Sequence, residues 1–324
     1  MTAATTARVL GIDVGGTSMK AGIWTRRADG SLVDELEHTV RRPTPPDESA
    51  AGALAAFAEA LIAEHGPVDA VGLAIPGIVD DEAGIAEFSV APTWTDLPLR
   101  QFIAERLGGL PVTLGHDTRI GGLAEGRAGA ALGSRDYLFI TLGTGVGGMV
   151  CLDGSPRLGP HHRAAELGHV VVDPLGVECG CGQRGCLETI ASATGIARMY
   201  GEGSEAGGAA GDGGGDQKVS AREVAARAAA GEAWAVEVWQ TAVSALATAL
   251  LSAVTLLDLS LVVLGGGVAK AGDQLLVPLR RELAARLTFQ HAPEVVCAAL
   301  GDEAAVLGSA LIALDLLDSL NSPV

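Results

Sequence analysis

The spacing of apolar residues predicts strands and helices in alternation. Residues 8–14 and 18–24 are predicted as two strands joined by a glycine turn, with apolar side chains on one face of the second strand. Apolar residues then recur at helical spacing over 49–65, and the short apolar run at 70–75 is typical of a buried strand. This pattern predicts a mixed α/β protein.

A second glycine turn between strands repeats the first arrangement. An apolar run at 137–142 leads into the glycine-rich stretch 143–148, and another apolar run follows at 149–152. Two copies of this strand, glycine turn and strand arrangement predict two related α/β halves on either side of a cleft. We expect a smaller N-terminal domain at 1–118 and a larger domain at 119–324, with the C-terminal helix able to pack back on the smaller one.

Three further segments give distinct patterns. Residues 201–216 contain too much glycine for a packed element and are predicted as a mobile surface loop. Ser220, three residues before Glu223, predicts the start of a helix over 220–230. The apolar stretch 241–264 is interrupted by polar residues and enters a triple glycine, so it predicts a buried helix and a buried strand rather than a membrane span.

Composition and charge exclude several classes of protein. A hydrophobic share of 48% excludes disorder for most of the 324 residues. The net charge of -17 argues against nucleic acid as the main partner, because a polyanion is normally met by a basic surface. The first ten residues lack a basic segment followed by an apolar one, so we expect a cytoplasmic protein.

The two glycine turns suggest phosphate binding. Glycine lets backbone N–H groups approach a phosphate, and nearby carboxylate and hydroxyl groups suit a hydrated magnesium ion and a phosphate oxygen. Alone, the first turn is equally consistent with an ordinary hairpin. Together, the turns are typical of nucleotide-triphosphate sites of the actin and hexokinase kind, and the predicted ATP-binding residues are Asp13, Gly15, Gly16, Thr17, Lys20, Thr141, Gly143, Thr144 and Gly145.

A third strand-to-glycine turn follows residues 261–264. Its backbone, at Gly265, Gly266 and Gly267, is predicted to pass close to the adenine or ribose of the nucleotide. Read alone, the same turn would more simply be the entry to a helix.

Three clustered cysteines and one histidine predict a metal site. Cys179, Cys181 and Cys186 lie among glycines that let the backbone wrap an ion, and His169 precedes them. Three thiolates and one imidazole make a closed four-ligand zinc set, which is structural because no position stays open for water. The alternative is three unlinked core cysteines.

These segments together resemble the ROK family, named for repressors, open reading frames and kinases. The resemblance spans residues 8 to about 315 in family order and rests on the runs Asp13 to Thr17, Ile75 to Gly77, Thr141 to Gly147, Glu166 to His169 and Cys179 to Glu188. It implies the actin-like ATPase (ribonuclease H-like) fold. It also implies a kinase that uses ATP, Mg²⁺ and a structural Zn²⁺, and that phosphorylates the 6-hydroxyl of a sugar bound between two α/β domains.

Carried over by position, the resemblance assigns Asp117 as the catalytic base. A carboxylate suits this role because a sugar hydroxyl is a poor nucleophile and must lose its proton as the phosphoryl group arrives. The alternative for Asp117 is a helix N-cap. The resemblance also implies sugar contacts at Gly77, Ala91, His116, Glu166, His169 and Glu188, with His169 shared between zinc and sugar.

Two of these positions depart from the pattern of family glucokinases. His116 and Ala91 stand where those enzymes usually have asparagines that bind ring hydroxyls, mainly toward carbons 3 and 4. We therefore expect a sugar altered near carbon 3, such as the amino sugar kanosamine. An ordinary glucokinase is the alternative, with His116 reaching the same hydroxyl and a water filling the space at Ala91.

Two other functions compete with catalysis. ROK regulators carry an N-terminal DNA-binding region of about 70–80 residues, whereas the first phosphate loop here begins at Gly11. A sugar-binding protein without catalysis is the second competitor. We expect a sugar and ATP as small-molecule partners, no membrane or nucleic acid, and a homodimer or homotetramer.

Overall fold

The chain forms two compact units. The computed structural model describes residues 6–36, 39–206 and 219–322. Of these, unit 1 takes the residues up to Ala128, the segment Leu158–Arg163 and the residues from Asp302 onward, and unit 2 takes Gly129–Arg157 and Ala164–Gly301.

Two sheets lie in the part of unit 1 that the structure describes. The larger has the strand order β3-β2-β1-β5-β9, with β4 also paired to β2, and the smaller has the order β6-β7-β8. The strands are β1 (Ala7–Val14), β2 (Ser18–Arg26), β3 (Leu32–Asp34), β4 (Val40–Pro43), β5 (Ala70–Ile75), β6 (Ile78–Asp80), β7 (Ile85–Val90), β8 (Thr93–Leu97) and β9 (Val112–His116). The helices up to Ala128 are α1 (Ala50–His65), α2 (Leu99–Arg106) and α3 (Asp117–Ala128).

The register of the central strands sets the position of one predicted site. β1 and β2 pair antiparallel, whereas β1, β5 and β9 run parallel. Asp13 on β1 lies beside Ala74 on β5, and Ala74 lies beside Gly115 on β9. The carboxyl ends of the three strands therefore meet at one edge of the sheet, where ligand sites form in open α/β sheets.

In the described residues, unit 2 has one sheet and six α-helices. Its strand order is β12-β11-β10-β13-β14. The strands are β10 (Tyr137–Leu142), β11 (Val146–Leu152), β12 (Ser155–Pro156), β13 (Leu261–Gly265) and β14 (Glu294–Cys297). The helices are α4 (Glu188–Ala191), α5 (Ala193–Ala206), α6 (Ala221–Ala229), α7 (Ala233–Leu257), α8 (Gly266–Ala269) and α9 (Asp273–Arg286).

The two large sheets share one strand order. In unit 1 the antiparallel pair β2-β1 continues into the parallel strands β5 and β9, and in unit 2 the antiparallel pair β11-β10 continues into the parallel strands β13 and β14. Each antiparallel pair encloses one of the two glycine turns. The repeated turn seen in the sequence thus belongs to a larger repeated arrangement.

The last helix, α10 (Ala304–Asn321), belongs to unit 1. Glycines let it approach the strands: a Cβ on Gly72 would lie 1.9 Å from the carbonyl oxygen of Ser309, and one on Gly11 would lie 2.6 Å from that of Val306. The buried Ser309 hydroxyl donates a hydrogen bond to the carbonyl of Ile12 at 3.1 Å. The C-terminal helix thereby packs directly against β1 and β5.

Helix α7 forms part of the core of unit 2. Residues such as Val243, Leu246 and Leu250 are buried in one cluster with residues of β10 and α9. Ala233–Leu257 is long and apolar enough to cross a membrane, but half of its most apolar window is buried inside the protein. The predicted buried helix followed by a buried strand corresponds to α7 and β13.

The other local predictions have mixed outcomes. Ser220 caps α6, because its hydroxyl accepts the N–H of Glu223 at 3.2 Å. The predicted loop at 201–216 is wrong over its first six residues, which complete α5. The rest of that predicted loop lies outside the described residues.

Candidate functional site

Asp13 lies at the carboxyl end of β1 and is almost completely buried. Its Oδ2 is 3.4 Å from Nζ of Lys20, its partner in the β1/β2 register. Burial raises the pKa of Asp13 to about 6; the positive charge of Lys20 opposes this rise and the negative charge of Asp117 adds to it. Lys20 also donates to the carbonyl of Asp302 at 3.1 Å. A bound cation would favour the charged form of Asp13.

The first glycine turn lies against the segment that carries Ala91. Gly16 and Thr17 are exposed, and Gly15 donates to the carbonyl of Ser18 at 3.0 Å. A Cβ on Gly16 would lie 3.1 Å from the carbonyl oxygen of Ala91. Unit 1 therefore places part of its predicted ATP-binding turn next to one of its predicted sugar positions.

Asp117 is the first residue of α3 and directly follows β9. Its Oδ1 accepts the N–H of Thr118 at 2.5 Å and the hydroxyl of Thr118 at 3.2 Å. Nε2 of His116 lies 3.5 Å from the same oxygen. The bond from Thr118 reaches only the next residue, so it is not an N-cap bond, which would accept the N–H of the second or third helical residue. These three contacts all fall on Oδ1 rather than on Oδ2.

Gly77 connects β5 to the small sheet. Its φ of +93° is in the region that favours glycine, and a Cβ there would lie 2.1 Å from the carbonyl oxygen of Phe88 on β7. The β5 terminus and the small sheet are thus joined by a close backbone contact that only glycine permits.

The second glycine turn, in unit 2, contacts Glu188. In the β10/β11 hairpin, Gly143 donates to the carbonyl of Gly145 at 2.9 Å. The N–H of Val146 donates to Oε2 of Glu188 at 2.9 Å, and a Cβ on Gly145 would lie 2.3 Å from that oxygen. Glu188, predicted from the resemblance as a sugar ligand, therefore also supports the turn.

The predicted zinc ligands lie together in unit 2. The ligand atoms of His169, Cys179, Cys181 and Cys186 all lie within 4.8 Å of one another. Sγ of Cys179 is 3.7 Å from Nδ1 of His169, and Sγ of Cys181 is 3.7 Å from Sγ of Cys186. Tetrahedral Zn²⁺ with Zn–S bonds of about 2.3 Å separates its sulfur ligands by about 3.8 Å, so these residues fit the ion.

The local hydrogen bonds of this cluster favour a thiolate at Cys181. Hydrogen bonding from the backbone of Gln183 lowers the pKa of Cys181 to about 6. Burial instead raises the pKa of Cys186 to about 12, and a cation among the sulfur atoms would counter that rise.

Glu166 and His169 share one short turn. Leu167–His169 forms a single 3-10 turn, and the N–H of His169 donates to the carbonyl of Glu166 at 3.0 Å. The His169 ring turns Nδ1 toward Cys179, which leaves Nε2 for another partner. The side chain of Glu166 is exposed, so both residues can offer polar groups to a ligand.

A cavity of about 740 Å³ lies beside the third glycine turn. It is lined by residues from α5, α6, α7, α8 and α9, including Arg222, Trp239, Gly267 and Gln274. Gly266 has a φ of +85° and begins α8, so this turn is also the helix entry considered as its alternative. The other lining residues were missed by sequence reasoning, because no spacing or motif connects α6 and α9 to that turn.

The comparisons with known proteins fit this arrangement. The model of the ROK family matches residues 9–316. The glucokinase of Halalkalibacterium halodurans is 35% identical over 312 residues, which cover 92% of each chain. The kanosamine kinase of Amycolatopsis mediterranei is 35% identical over 186 residues, or 56% of this chain and 58% of that enzyme.

A solved structure extends the similarity to three dimensions. The ROK family glucokinase from Streptomyces griseus, in complex with glucose and AMPPNP, has a TM-score of 0.78 and 30% identity, covering 95% of this chain and 99% of that one. The resemblance and the fold class expected from the sequence are thereby confirmed: the chain belongs to the ROK family and has the actin-like ATPase fold.

Proposed function

We propose that the protein is an ATP-dependent kinase that phosphorylates the 6-hydroxyl of a glucose-type hexose. The observation that carries this proposal is the place of Asp117, a carboxylate at the edge where β1, β5 and β9 end, with Oδ1 held by Thr118. We assign the role of base to Oδ2. The similarity to glucokinases over nearly the whole chain supports the same reaction.

In the proposed reaction, Oδ2 of Asp117 accepts the proton of the sugar 6-hydroxyl. The sugar oxygen then forms a bond to the γ-phosphorus of ATP, and the bond from that phosphorus to the bridging oxygen breaks to release ADP. The contacts on Oδ1 keep the carboxylate from turning away. Mg²⁺, when bound, balances phosphate charge, and buried Asp13 is the side chain of unit 1 that would hold one of its waters.

We assign sugar hydroxyls to Glu166, Nε2 of His169 and Oε1 of Glu188. Carboxylates accept several hydrogen bonds, which suits a hydroxyl-rich ligand. Zn²⁺ at Nδ1 would fix the tautomer and orientation of the His169 ring. The 740 Å³ cavity beside Gly267 has the volume for an adenosine group, so we assign it to the nucleotide.

Substitution of Asp117 tests the reaction. Asp117→Ala should lower kcat by several orders of magnitude and leave sugar affinity within about tenfold, because loss of a base acts mostly on the transition state. Asp29→Ala, which removes an exposed carboxylate in a surface turn, is the matched control. Near-wild-type turnover of the Asp117 variant would overturn the assignment, and sugar binding without any sugar-dependent ADP release would favour a non-catalytic binding protein.

For the substrate itself, we propose a glucose derivative altered near carbon 3, with kanosamine as the leading candidate. The support is local: an imidazole at His116 and a methyl group at Ala91 replace two expected amides, and Ala91 lies against the first glycine turn. Loss of a neutral hydrogen bond costs about 0.5–1.5 kcal/mol, and a buried polar group left without a partner costs about 1–3 kcal/mol. Two such losses are enough to change specificity by roughly 10- to 1,000-fold.

The ratio of kcat/KM for kanosamine over glucose decides between this substrate and glucose. We expect a ratio above one for the wild type and a lower ratio for His116→Asn combined with Ala91→Asn. Glucosamine, mannose and N-acetylmannosamine complete the panel. A wild-type ratio below one that the double substitution leaves unchanged would identify an ordinary glucokinase.

The assembly proposed with this function is a homodimer or homotetramer in the cytoplasm. Sedimentation equilibrium at several protein concentrations measures the assembly directly. A monomer at micromolar concentration would contradict it.

A further inference from the structure

Arg119 is a buried cation close to the proposed base. It lies on α3, two residues after Asp117, and is only 6% exposed. Burying a guanidinium is costly unless its charge and its N–H groups are matched by partners. The partners of Arg119 therefore show what this position connects.

Three contacts join Arg119 to two other segments of unit 1. Nη2 donates to Oδ1 of Asp81 at 2.5 Å and to the carbonyl of Val79 at 3.3 Å. Nη1 donates to the carbonyl of His162 at 2.9 Å. The planar fork of arginine thus holds β6 and its following residue with one nitrogen, and the segment 158–163 with the other.

Both segments lead to proposed sugar-binding residues. β6 begins directly after Gly77, and Asp81 lies close to β9, because a Cβ added to Gly115 would be 3.2 Å from its Oδ2. The segment 158–163 is a short excursion of the chain into unit 1, and the chain reaches Glu166 four residues after His162. Within this excursion His162 adopts a φ of +55°, and Nε2 of His162 lies 3.6 Å from Oδ1 of Asp80.

We propose that Arg119 is a positioning residue for sugar binding, which fixes the segment leading to Glu166 on the helix that carries Asp117. This inference rests on the proposed function, because it assumes that Asp117 and Glu166 serve the same hexose. Arg119 itself makes no contact with the sugar in this proposal. It acts through the carbonyl of His162 and the carboxylate of Asp81.

The charge of Asp81 contributes to the same set of contacts around Arg119. Burial raises the pKa of Asp81, and the positive charge of Arg119 acts against that rise. Loss of Arg119 would leave the mostly buried carboxylate of Asp81 without its cation. A single substitution of Arg119 would therefore destabilise the protein and also release the segment 158–163. The test must separate these two effects.

Three variants separate them. Arg119→Met removes all three contacts. Arg119→Met with Asp81→Leu also removes the uncompensated carboxylate, which restores stability in many buried ion pairs. Arg127→Met is the matched control, because Arg127 lies on the same helix and forms a two-pronged ion pair with Asp315 that contacts neither segment.

Steady-state kinetics and hydrogen exchange give the readouts. We expect the sugar KM of both Arg119 variants to rise at least tenfold with the ATP KM within about twofold, and amide exchange at 158–166 to accelerate. The double variant should keep the raised sugar KM even where its melting temperature returns to within a few degrees of the wild type. Arg127→Met should keep the wild-type sugar KM and exchange.

Two results would overturn the inference. One is an unchanged sugar KM in a folded Arg119 variant. The other is a double variant in which sugar KM and melting temperature recover together, since this would make Arg119 a purely structural residue. Failure of the proposed function looks different, because then the wild type itself would show no sugar-dependent ADP release.

Discussion

The carboxylate of Glu188 accepts the backbone N–H of Val146, 2.9 Å away, at the second glycine turn. One proposed sugar ligand therefore supports the turn proposed to bind phosphate, and both belong to unit 2. Only Oε2 makes this contact, so Oε1 can bind a hydroxyl without breaking it. Movement of the turn and orientation of the sugar ligand are thereby linked.

Gly145→Ala should weaken both substrates together. The added Cβ would lie 2.3 Å from Oε2 of Glu188, so either the turn or the carboxylate must move. We expect kcat/KM for sugar and for ATP each to fall by about tenfold or more, which corresponds to roughly 1.4 kcal/mol. Gly52→Ala in α1 meets no atom within 4 Å and is the control for the same change of residue.

Asp13→Asn should stabilise the protein at neutral pH while it lowers activity. Because the folded-state pKa of about 6 exceeds 3.8, the free energy of unfolding of the wild type falls as pH rises from about 4 to 6 and stays lower above that range. Asparagine does not titrate, so the variant avoids this loss. The gain in free energy of unfolding of the variant over the wild type should be greater at pH 8 than at pH 4 by about 2.5 kcal/mol.

Urea denaturation at several pH values measures this difference. The chosen pH values should span 4 to 8, in a buffer free of divalent cations. If the free energy of unfolding of the variant exceeded that of the wild type by the same amount at pH 4 and pH 8, Asp13 would have an ordinary pKa.

Zinc should be retained or lost according to which cysteine is changed. Cys181→Ser should bind well below one equivalent of zinc, because one of four ligands is lost, and should raise the sugar KM through His169. Cys297→Ser lies outside the cluster and should keep the metal and the sugar KM. Elemental analysis of freshly purified protein measures the metal, and less than about half an equivalent in the wild type would count against the site.

Ala165→Gly should raise stability. Ala165 has a φ of +67°, where a Cβ costs about 1–2 kcal/mol relative to glycine, and part of that gain is offset by the greater freedom of glycine in the unfolded chain. We expect a net gain of about 1 kcal/mol. Ala164→Gly, at a neighbouring residue without a positive φ, should instead be neutral or destabilising, and equal effects of the two substitutions would contradict the explanation.

Local patterns in the sequence were sufficient for most elements. Strands such as β5 and β10 match the predicted ranges because buried strands in parallel sheets are continuous apolar runs. The start of α6 was predicted because Ser220 and Glu223 are close in sequence. The same reasoning failed at 201–206, where glycine content suggested a loop but packing continues α5; a Cβ on Gly203 would lie 2.0 Å from the ring of Trp234.

The contacts that connect the site were beyond such patterns. Arg119 and Asp81 are 38 residues apart, and Val146 and Glu188 are 42 apart. Nothing in the spacing of these residues indicates that they meet, because their approach depends on how strands pair. The chemical groups could be listed from the sequence, whereas the links between them required the fold.

The place of α10 in unit 1 has a consequence for how the protein is made. A ribosome synthesises every residue of unit 2 before it reaches Asp302, yet β1 and β5 of unit 1 wait for α10 to cover Gly11 and Gly72. Synthesis of unit 1 therefore begins first, but its folding can be completed only last. This differs from the usual order, in which the N-terminal domain folds first during synthesis. A ribosome that stalls between Gly301 and Asn321 would have synthesised all of unit 2, while the sheet that bears Asp13 would still lack α10.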